Sequence, residues 1–159
     1  MPARQEKSAA HPGPFRPYSA TYLILIKNRR VLLLRRANTG WRDGSYSLVA
    51  GHIDENETAR QAMVREAQEE VGITIKEEDL RFAHLMHRGP GKDGKGRTYY
   101  DIYFTTEKWK GEPKNLEPGY CDDLNWADVD RLPKNTVSNV IMALGLVKKG
   151  LYYSESEWA

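Results

Sequence analysis

A single cysteine, Cys121, is all the chain carries, which excludes an intramolecular disulfide and a metal cage built from cysteines alone. Nothing in that usage points to an oxidising compartment. Long apolar runs are also missing. The longest, Tyr22–Ile26 and Val31–Leu34, have the length of strands, far short of the roughly 20 residues of a membrane helix. Charge of one sign is lacking too: 24 Lys and Arg face 22 Asp and Glu, a formal balance of +2. That is too small to mark polymeric nucleic acid or a membrane surface as a partner. The start, Met1 to Pro17, has no apolar signal core and contains Pro2, Pro12, Pro14 and Pro17, so it reads as a mobile polar tail. The expectation is a cytoplasmic protein with one folded domain over residues 18–159, a length that buries enough surface to fold unaided.

What is present alternates between strand and helix patterns. Tyr18–Ile26 is rich in β-branched and aromatic residues and reads as a strand. Polar Lys27–Arg30 makes a turn, and Val31–Arg36 returns as the second strand of a hairpin. Ala37–Ser45 is a loop, and Ser47–Ala50 is a short apolar strand stopping at Gly51. A helix is expected from Glu57 or Thr58 to Val71, with Ala59, Ala62, Met63, Ala67 and Val71 near helical spacing and Gly72 ending it. Ile73–Ile75, Arg81–His87, Thr98–Glu107 and Leu124–Ala127 read as strands. Val137–Lys149 reads as a second helix capped by Thr136 or Asn135. Strands around one central helix, with a late helix following, favour an α/β or α+β sandwich.

The chemistry concentrates on the first helix. Glu66, Glu69 and Glu70 stand at i, i+3 and i+4, the same side of an α-helix, where like charges repel by a few tenths of a kcal/mol per pair. A hard divalent cation reverses the sign of that energy, and carboxylate oxygens suit Mg²⁺ or Mn²⁺. Mg²⁺ also binds through substrate phosphates, so the helix reads as a platform for phosphate chemistry. A solvated acidic surface has the same local composition; the surroundings separate the two. Glu57 and Arg65 lie eight residues apart, about two turns, at ion-pairing reach along nearly one face. Gly51 and Gly72 bracket the segment.

From Gly51 to Ile73 the chain resembles the Nudix hydrolase family: Gly, five residues, Glu, seven residues, Arg-Glu, an apolar residue, any residue, Glu-Glu, any residue, Gly, an apolar residue. Every fixed position is filled. The resemblance implies a Nudix-type α/β/α sandwich, a mixed β-sheet between helices, reaching from about Tyr18 to about Lys149. It implies a Mg²⁺-dependent hydrolase, with Mn²⁺ as a substitute, that cleaves the diphosphate linkage of a nucleoside diphosphate derivative. Glu66, Glu69 and Glu70 match the family's metal ligands, and the carbonyl of Ala50 sits where a further ligand is often supplied. Glu57 and Arg65 match a bracing pair, with Gly51 and Gly72 as structural support. Glu66 is the first candidate for the base that takes a proton from the attacking water, and Glu69 the alternative. The stretch Lys110–Pro113 followed by Leu116–Gly119 resembles a loop of triphosphate-cleaving members, which makes Glu117 a candidate catalytic residue, ahead of Glu112.

The attached group is less legible, because a fold's chemistry does not name its substrate. Tyr120–Trp126 followed by Leu132–Pro133 resembles small members acting on ordinary or oxidised nucleoside triphosphates. Trp41, Tyr46, Tyr99, Tyr103 and Trp126 are candidates for an aromatic wall, although strand aromatics commonly serve the core. Asp122 or Asp123 is a candidate to read a base edge. Arg35 or Arg36 is a candidate to face phosphate, their alternation along a strand leaving one of them at the substrate. His52 neighbours the metal loop; His84 and His87 have an odd spacing that argues against a joint zinc site. The basic loop Arg88–Arg97, with Lys92, Lys95 and Arg97, reads as solvated ahead of a role in steering phosphates, Cys121 as a thiol without a base, and Gly150–Ala159 as a segment packing back on the domain or at a dimer contact.

The expected partner is thus a small nucleotide, and the assembly a monomer or homodimer. The leading reading is a MutT-like nucleoside triphosphate pyrophosphohydrolase. An ADP-ribose, nucleotide-sugar or cap-type dinucleotide hydrolase is the alternative. A catalytically silent binding module is the third, disfavoured by the intact glutamates.

Overall fold

A computed structural model describes residues 14–158. Along the chain run β1 (Tyr18–Ile24), β2 (Ile26–Lys27), β3 (Arg30–Arg36), β4 (Tyr46–Ser47), β5 (Val49–His52), α1 (Ala59–Val71), β6 (Arg81–Arg88), β7 (Tyr99–Thr105), β8 (Cys121–Asp128), α2 (Ser138–Lys148) and β9 (Tyr153–Ser156). The expected tail lies outside the described residues except for its last four.

Two sheets carry these strands. The first has the order β5-β1-β7-β6-β9. It is mixed: β1 runs antiparallel to β5 and parallel to β7, while β6 runs antiparallel to β7 and parallel to β9. In the second, β3 pairs antiparallel with β2 and β4 and also with β8. Period-two alternation splits the core accordingly. Leu23, Leu32 and Leu34 join Met63, Ala67 and Val71 of α1. Ile24, Val31 and Leu33, one residue out of phase, join Val140 and Ala143 of α2. Strands covered on both faces need side chains that are apolar on both, and this accounts for the unbroken run Val31–Leu34. The result is the α/β/α arrangement, with two sheets in the middle layer.

Helix α1 begins at Thr58, which accepts the Gln61 backbone N–H while the Gln61 side chain accepts that of Thr58, a capping box. It ends at Gly72, whose φ of 70° places it in the left-handed region. Met63 is fully buried, so cutting it to Ala would cost about 2–5 kcal/mol.

Several boundaries differ from the sequence reading. Tyr18–Ile26 is not one strand. The chain leaves the first sheet after Ile24 and enters the second at Ile26, so the hairpin is made by β2 and β3 alone. Likewise Ser47–Ala50 belongs to two strands in two sheets, and β5 continues through Gly51 to His52. Ile73–Ile75 forms only an isolated bridge, Thr74 to Lys110, because Ile73 and Ile75 serve the core instead of a ladder. Strand β8 starts earlier than expected, at Cys121. Helix α2 has Val137 at its cap with no side-chain bond. The candidate caps are used elsewhere: Thr136 Oγ1 donates to the Pro133 carbonyl, and Asn135 Nδ2 to that of Gly44. The final segment does pack back, as β9.

Candidate active site

The loop before α1 lies against the helix's acidic side. A Cβ on residue 51 would stand 1.9 Å from Glu66 Oε1, so only glycine lets the β5 backbone approach that carboxylate. One residue earlier, the Ala50 N–H donates to Glu70 Oε2 at 3.1 Å. Arg65 braces the same loop. Its Nη2 and Nε donate to the two oxygens of Glu57 at 2.6 and 3.1 Å, and Nη2 also reaches the His52 carbonyl at 3.1 Å. The expected Glu57–Arg65 pair is therefore present, and bidentate.

The three helix glutamates have different surroundings. Glu66 is 13% exposed and accepts Arg65 Nη1 at 2.7 Å. Glu69 is 52% exposed and accepts the same nitrogen at 3.2 Å. Glu70 has no cationic hydrogen-bond partner among the described residues. Burial pushes its carboxyl up to about 8; the Ala50 hydrogen bond opposes this, and the charges of Glu66 and Glu117 add to it. Burial also raises Glu66, against the pull of Arg65.

Glu117 reaches this cluster because its loop is tied to the end of α1. The Lys114 and Leu116 N–H groups donate to the carbonyls of Val71 and Glu70, both at 3.0 Å. These carbonyls belong to the helix's last turn, which has no intrahelical donors. Asn115 then locks the turn: its Oδ1 accepts the Glu117 N–H at 3.1 Å and its Nδ2 donates to the Cys121 carbonyl at 2.6 Å. Glu112 lies elsewhere, in an exposed 3.5 Å ion pair with Lys27.

A cleft of about 70 Å³ is lined by Arg35, Arg36, Ala50, Glu70, Glu117 and Tyr120. Such a volume is small against the pockets that enclose drug-sized ligands and suits a phosphoryl group or water. Both arginines line it, contrary to the expectation of opposite faces. The β3–β8 register shifts between Arg35 and Arg36, leaving Asp122 of β8 as the extra residue, and the local twist this adds lies where both arginines meet the cleft. Arg35 is bonded to Asp122 at 2.6 Å. Arg36 donates to the Trp41 carbonyl at 2.8 Å, and its guanidinium carbon lies 4.9 Å from the centre of the Trp41 ring.

The aromatic candidates divide. Tyr103 is fully buried and stacks on Tyr22 at 4.8 Å; Trp126 packs against the α1 core. Neither forms a pocket wall, because each fills space between layers. Tyr46 is buried, with its hydroxyl bonded to Asp123. Trp41 remains 39% exposed, and Tyr99 lies across Arg88, whose guanidinium carbon is 4.2 Å from the Tyr99 ring centre and 5.8 Å from that of Trp41. His52 Nε2 contacts the Tyr99 hydroxyl at 3.1 Å. His84 and His87 make separate contacts, His84 with Ser154 and His87 with Tyr100. Sequence reasoning missed Asp101, buried and bonded to Arg88 Nε at 2.6 Å and Nη2 at 3.2 Å. Its signal was one acid inside the aromatic run Tyr99–Phe104.

Among the described residues, no three His, Cys, Asp or Glu side chains already stand together as a metal cage; Arg65 occupies Glu66 and Glu69. The donor set is nonetheless all oxygen, desolvated at Glu66 and Glu70, and short of positive charge at Glu70, which fits a hard cation.

The family model of the NUDIX domain matches residues 16–143. The chain belongs to the Nudix family. It is 32% identical over 117 residues to the 8-oxo-dGTP diphosphatase of Escherichia coli K12, covering 72% of this chain and 85% of that enzyme. To the NAD-capped RNA hydrolase NudC of Chromobacterium violaceum it is 31% identical over 115 residues, 72% of this chain and 40% of the relative. The chain thus spans less than half of that longer protein. The MutT Nudix hydrolase structure from Burkholderia pseudomallei superposes with a TM-score of 0.74 at 23% identity, covering 82% of this chain and 98% of the other. As a Nudix hydrolase the protein acts on diphosphate linkages. The family works on small nucleotides and typically depends on a divalent metal. No helix among the described residues is long and apolar enough to cross a membrane.

Proposed function

We propose that this Nudix hydrolase is a Mg²⁺-dependent nucleoside triphosphate pyrophosphohydrolase of MutT-like type, releasing a nucleoside monophosphate and pyrophosphate, with oxidised nucleotides among its substrates. The observation that supports this most is the meeting of Glu70 and Glu117 with Arg35 and Arg36 in one small cleft beside Glu66. The 32% identity to an 8-oxo-dGTP diphosphatase agrees with it.

Glu66, Glu69, Glu70 and the Ala50 carbonyl are the groups that would hold the metal. Bound there, Mg²⁺ neutralises phosphate charge and lowers the pKa of water. Arg65 Nη1, paired with Glu66 and Glu69, would have to yield these carboxylates for them to serve as ligands. Arg36, braced on Trp41, draws the phosphate chain in, and Arg35 does so from its pair with Asp122. Glu66 accepts the proton of the attacking water, with Glu69 or Glu117 as the alternative acceptor, as the phosphorus–oxygen bond to the leaving group breaks.

Similarity to an NAD-capped RNA hydrolase supports a second reading, in which the same cleft cuts a dinucleotide. Product release with Mg²⁺ across nucleoside triphosphates, oxidised variants, ADP-ribose, nucleotide sugars and cap analogues separates the two. Glu69→Gln and Glu70→Gln run beside the wild type. Triphosphate turnover that both substitutions abolish supports the first reading. Turnover confined to dinucleotides selects the second, and none at all, with metal bound, selects a silent module.

A further inference from the structure

We propose that β9 is the contact edge of a symmetric homodimer, in which two copies join their first sheets by antiparallel pairing of Tyr153–Ser156. The strand lies beyond the matched family span of 16–143. The pairing does not depend on which substrate the cleft takes.

The two edges of the first sheet are finished differently. At β5 the Ala50 N–H is taken by Glu70, and α1 packs over the strand. Strand β9 has no such cover among the described residues. The Leu85 and Gly89 N–H groups donate to the carbonyls of Tyr152 and Ser156 at 2.8 and 2.7 Å. Those residues, with Ser154 between them, therefore turn their backbone groups toward β6. The N–H and C=O of Tyr153 and Glu155 point the other way, and no described residue pairs with them. Exposed edges are normally blunted by Lys, Pro or a bulge. Leu151–Ser156 has neither Lys nor Pro, and its ladder with β6 runs without a register shift.

The surroundings of this edge are apolar. Leu151, Tyr152, Tyr153, Phe82 and Trp158 are each between 44% and 66% exposed. Phe82 stacks on Tyr152, and Trp158 meets His87, which stands opposite Glu155 in the ladder. Helix α1 packs over β5 and β1, at the other end of the sheet. At about 200 Å² per aromatic side chain, these residues leave roughly 500 Å² of apolar surface in solvent. A stable interface takes roughly 800 Å² from each partner, about 60% of it apolar. The patch has the size that a second copy requires.

The register follows from the free groups. A two-fold axis at Ser154 sets Tyr153 opposite Glu155 of the second copy, and Glu155 opposite its Tyr153. Both are then pairs that exchange N–H···O=C bonds in both directions. Tyr153 already donates its hydroxyl to Glu155 of its own chain at 2.9 Å, and the axis brings a second such hydroxyl opposite the same carboxylate. Sliding one way would oppose Glu155 to Glu155, which is disfavoured. Sliding the other way would oppose Glu155 to Leu151, whose N–H and C=O are already bonded to Leu146 and His84.

Sedimentation equilibrium of the full chain tests this. At about 100 µM, where even a micromolar interface is filled, wild type should weigh twice the 18.2 kDa of one chain. Glu155→Pro removes an outward N–H that the fold does not use, at an edge where proline is tolerated. It should raise the dissociation constant about tenfold or more. Tyr153→Glu opposes like charges across the axis and should do the same. Adding Glu155→Lys to Tyr153→Glu opposes unlike charges and should restore the dimer. Circular dichroism checks folding, and Tyr153→Glu carries the test where Glu155→Pro does not fold. A wild-type monomer at that concentration, a dimer undiminished in a folded single variant, or a double variant that stays monomeric overturns the proposal.

Discussion

Gly51 and Glu66 adjoin so closely that the glycine hydrogen occupies the only space between strand and carboxylate; a Cβ would lie 1.9 Å from Glu66 Oε1 and 2.0 Å from its carboxyl carbon. The obstructing atoms are the far end of a flexible side chain, so the side chain can yield where a backbone could not.

Gly51→Ala is therefore expected to displace the Glu66 carboxylate and spare the fold. Turnover should drop at least tenfold, while stability in urea changes by less than about 1 kcal/mol, below the usual cost of overpacking a rigid core. A loss of several kcal/mol with activity retained would contradict this.

Glu70 sets a pH dependence in the metal-free protein. Folded, it keeps its proton up to about 8, against an ordinary value of 4.5. Between these the folded state binds more protons than the unfolded, so stability is full at the acid end and falls as pH rises through 8. The loss is on the order of a few kcal/mol. Denaturation between pH 5 and about 9 should show the decline in wild type and a flatter profile in Glu70→Gln.

Arg65 joins Glu57, Glu66, Glu69 and the His52 carbonyl through one guanidinium. Lysine has no planar fork and cannot reproduce this set. Arg65→Lys should lower stability by about 1–3 kcal/mol, the scale of lost charged hydrogen bonds. A thermal melt would register this as roughly 3–10 °C.

Asn115 acts on Glu117 through the backbone, as a positioning residue. Asn115→Ala should reduce kcat about tenfold with little change in KM, and its effect should largely vanish in a Glu117→Gln background. Additive losses in that double-mutant cycle would separate the two residues.

The motif from Gly51 to Ile73 was legible because its parts are local. A capping box, a C-terminal glycine and an i, i+4 pattern are all written within one helix, and α1 ends where they say. Tyr103 and Trp126 misled because an aromatic on a strand looks alike whether it faces a partner layer or a ligand. The switch between sheets at Leu25 was invisible for a similar reason: both flanking segments have strand character, and only pairing partners distinguish them. Asp101 could be noticed but not interpreted, since its partner Arg88 lies 13 positions away across a strand pair.

The sequence by itself determined the helix that carries the glutamates, its bracing by Arg65 and the alternation that places one helix on each side of the strands, because short-range geometry dictates all of these. The tertiary structure decided which carboxylates share a cleft. Glu117 joins Glu70 because free carbonyls at the end of α1 capture its loop. Both arginines line that cleft where the β3–β8 register shifts, Asp122 of β8 standing unpaired between the partners of Arg35 and Arg36. Ser156 comes beside Arg88 because β9 pairs with β6. Each of these rests on hydrogen bonds between segments far apart in the chain, whose partners no local pattern records.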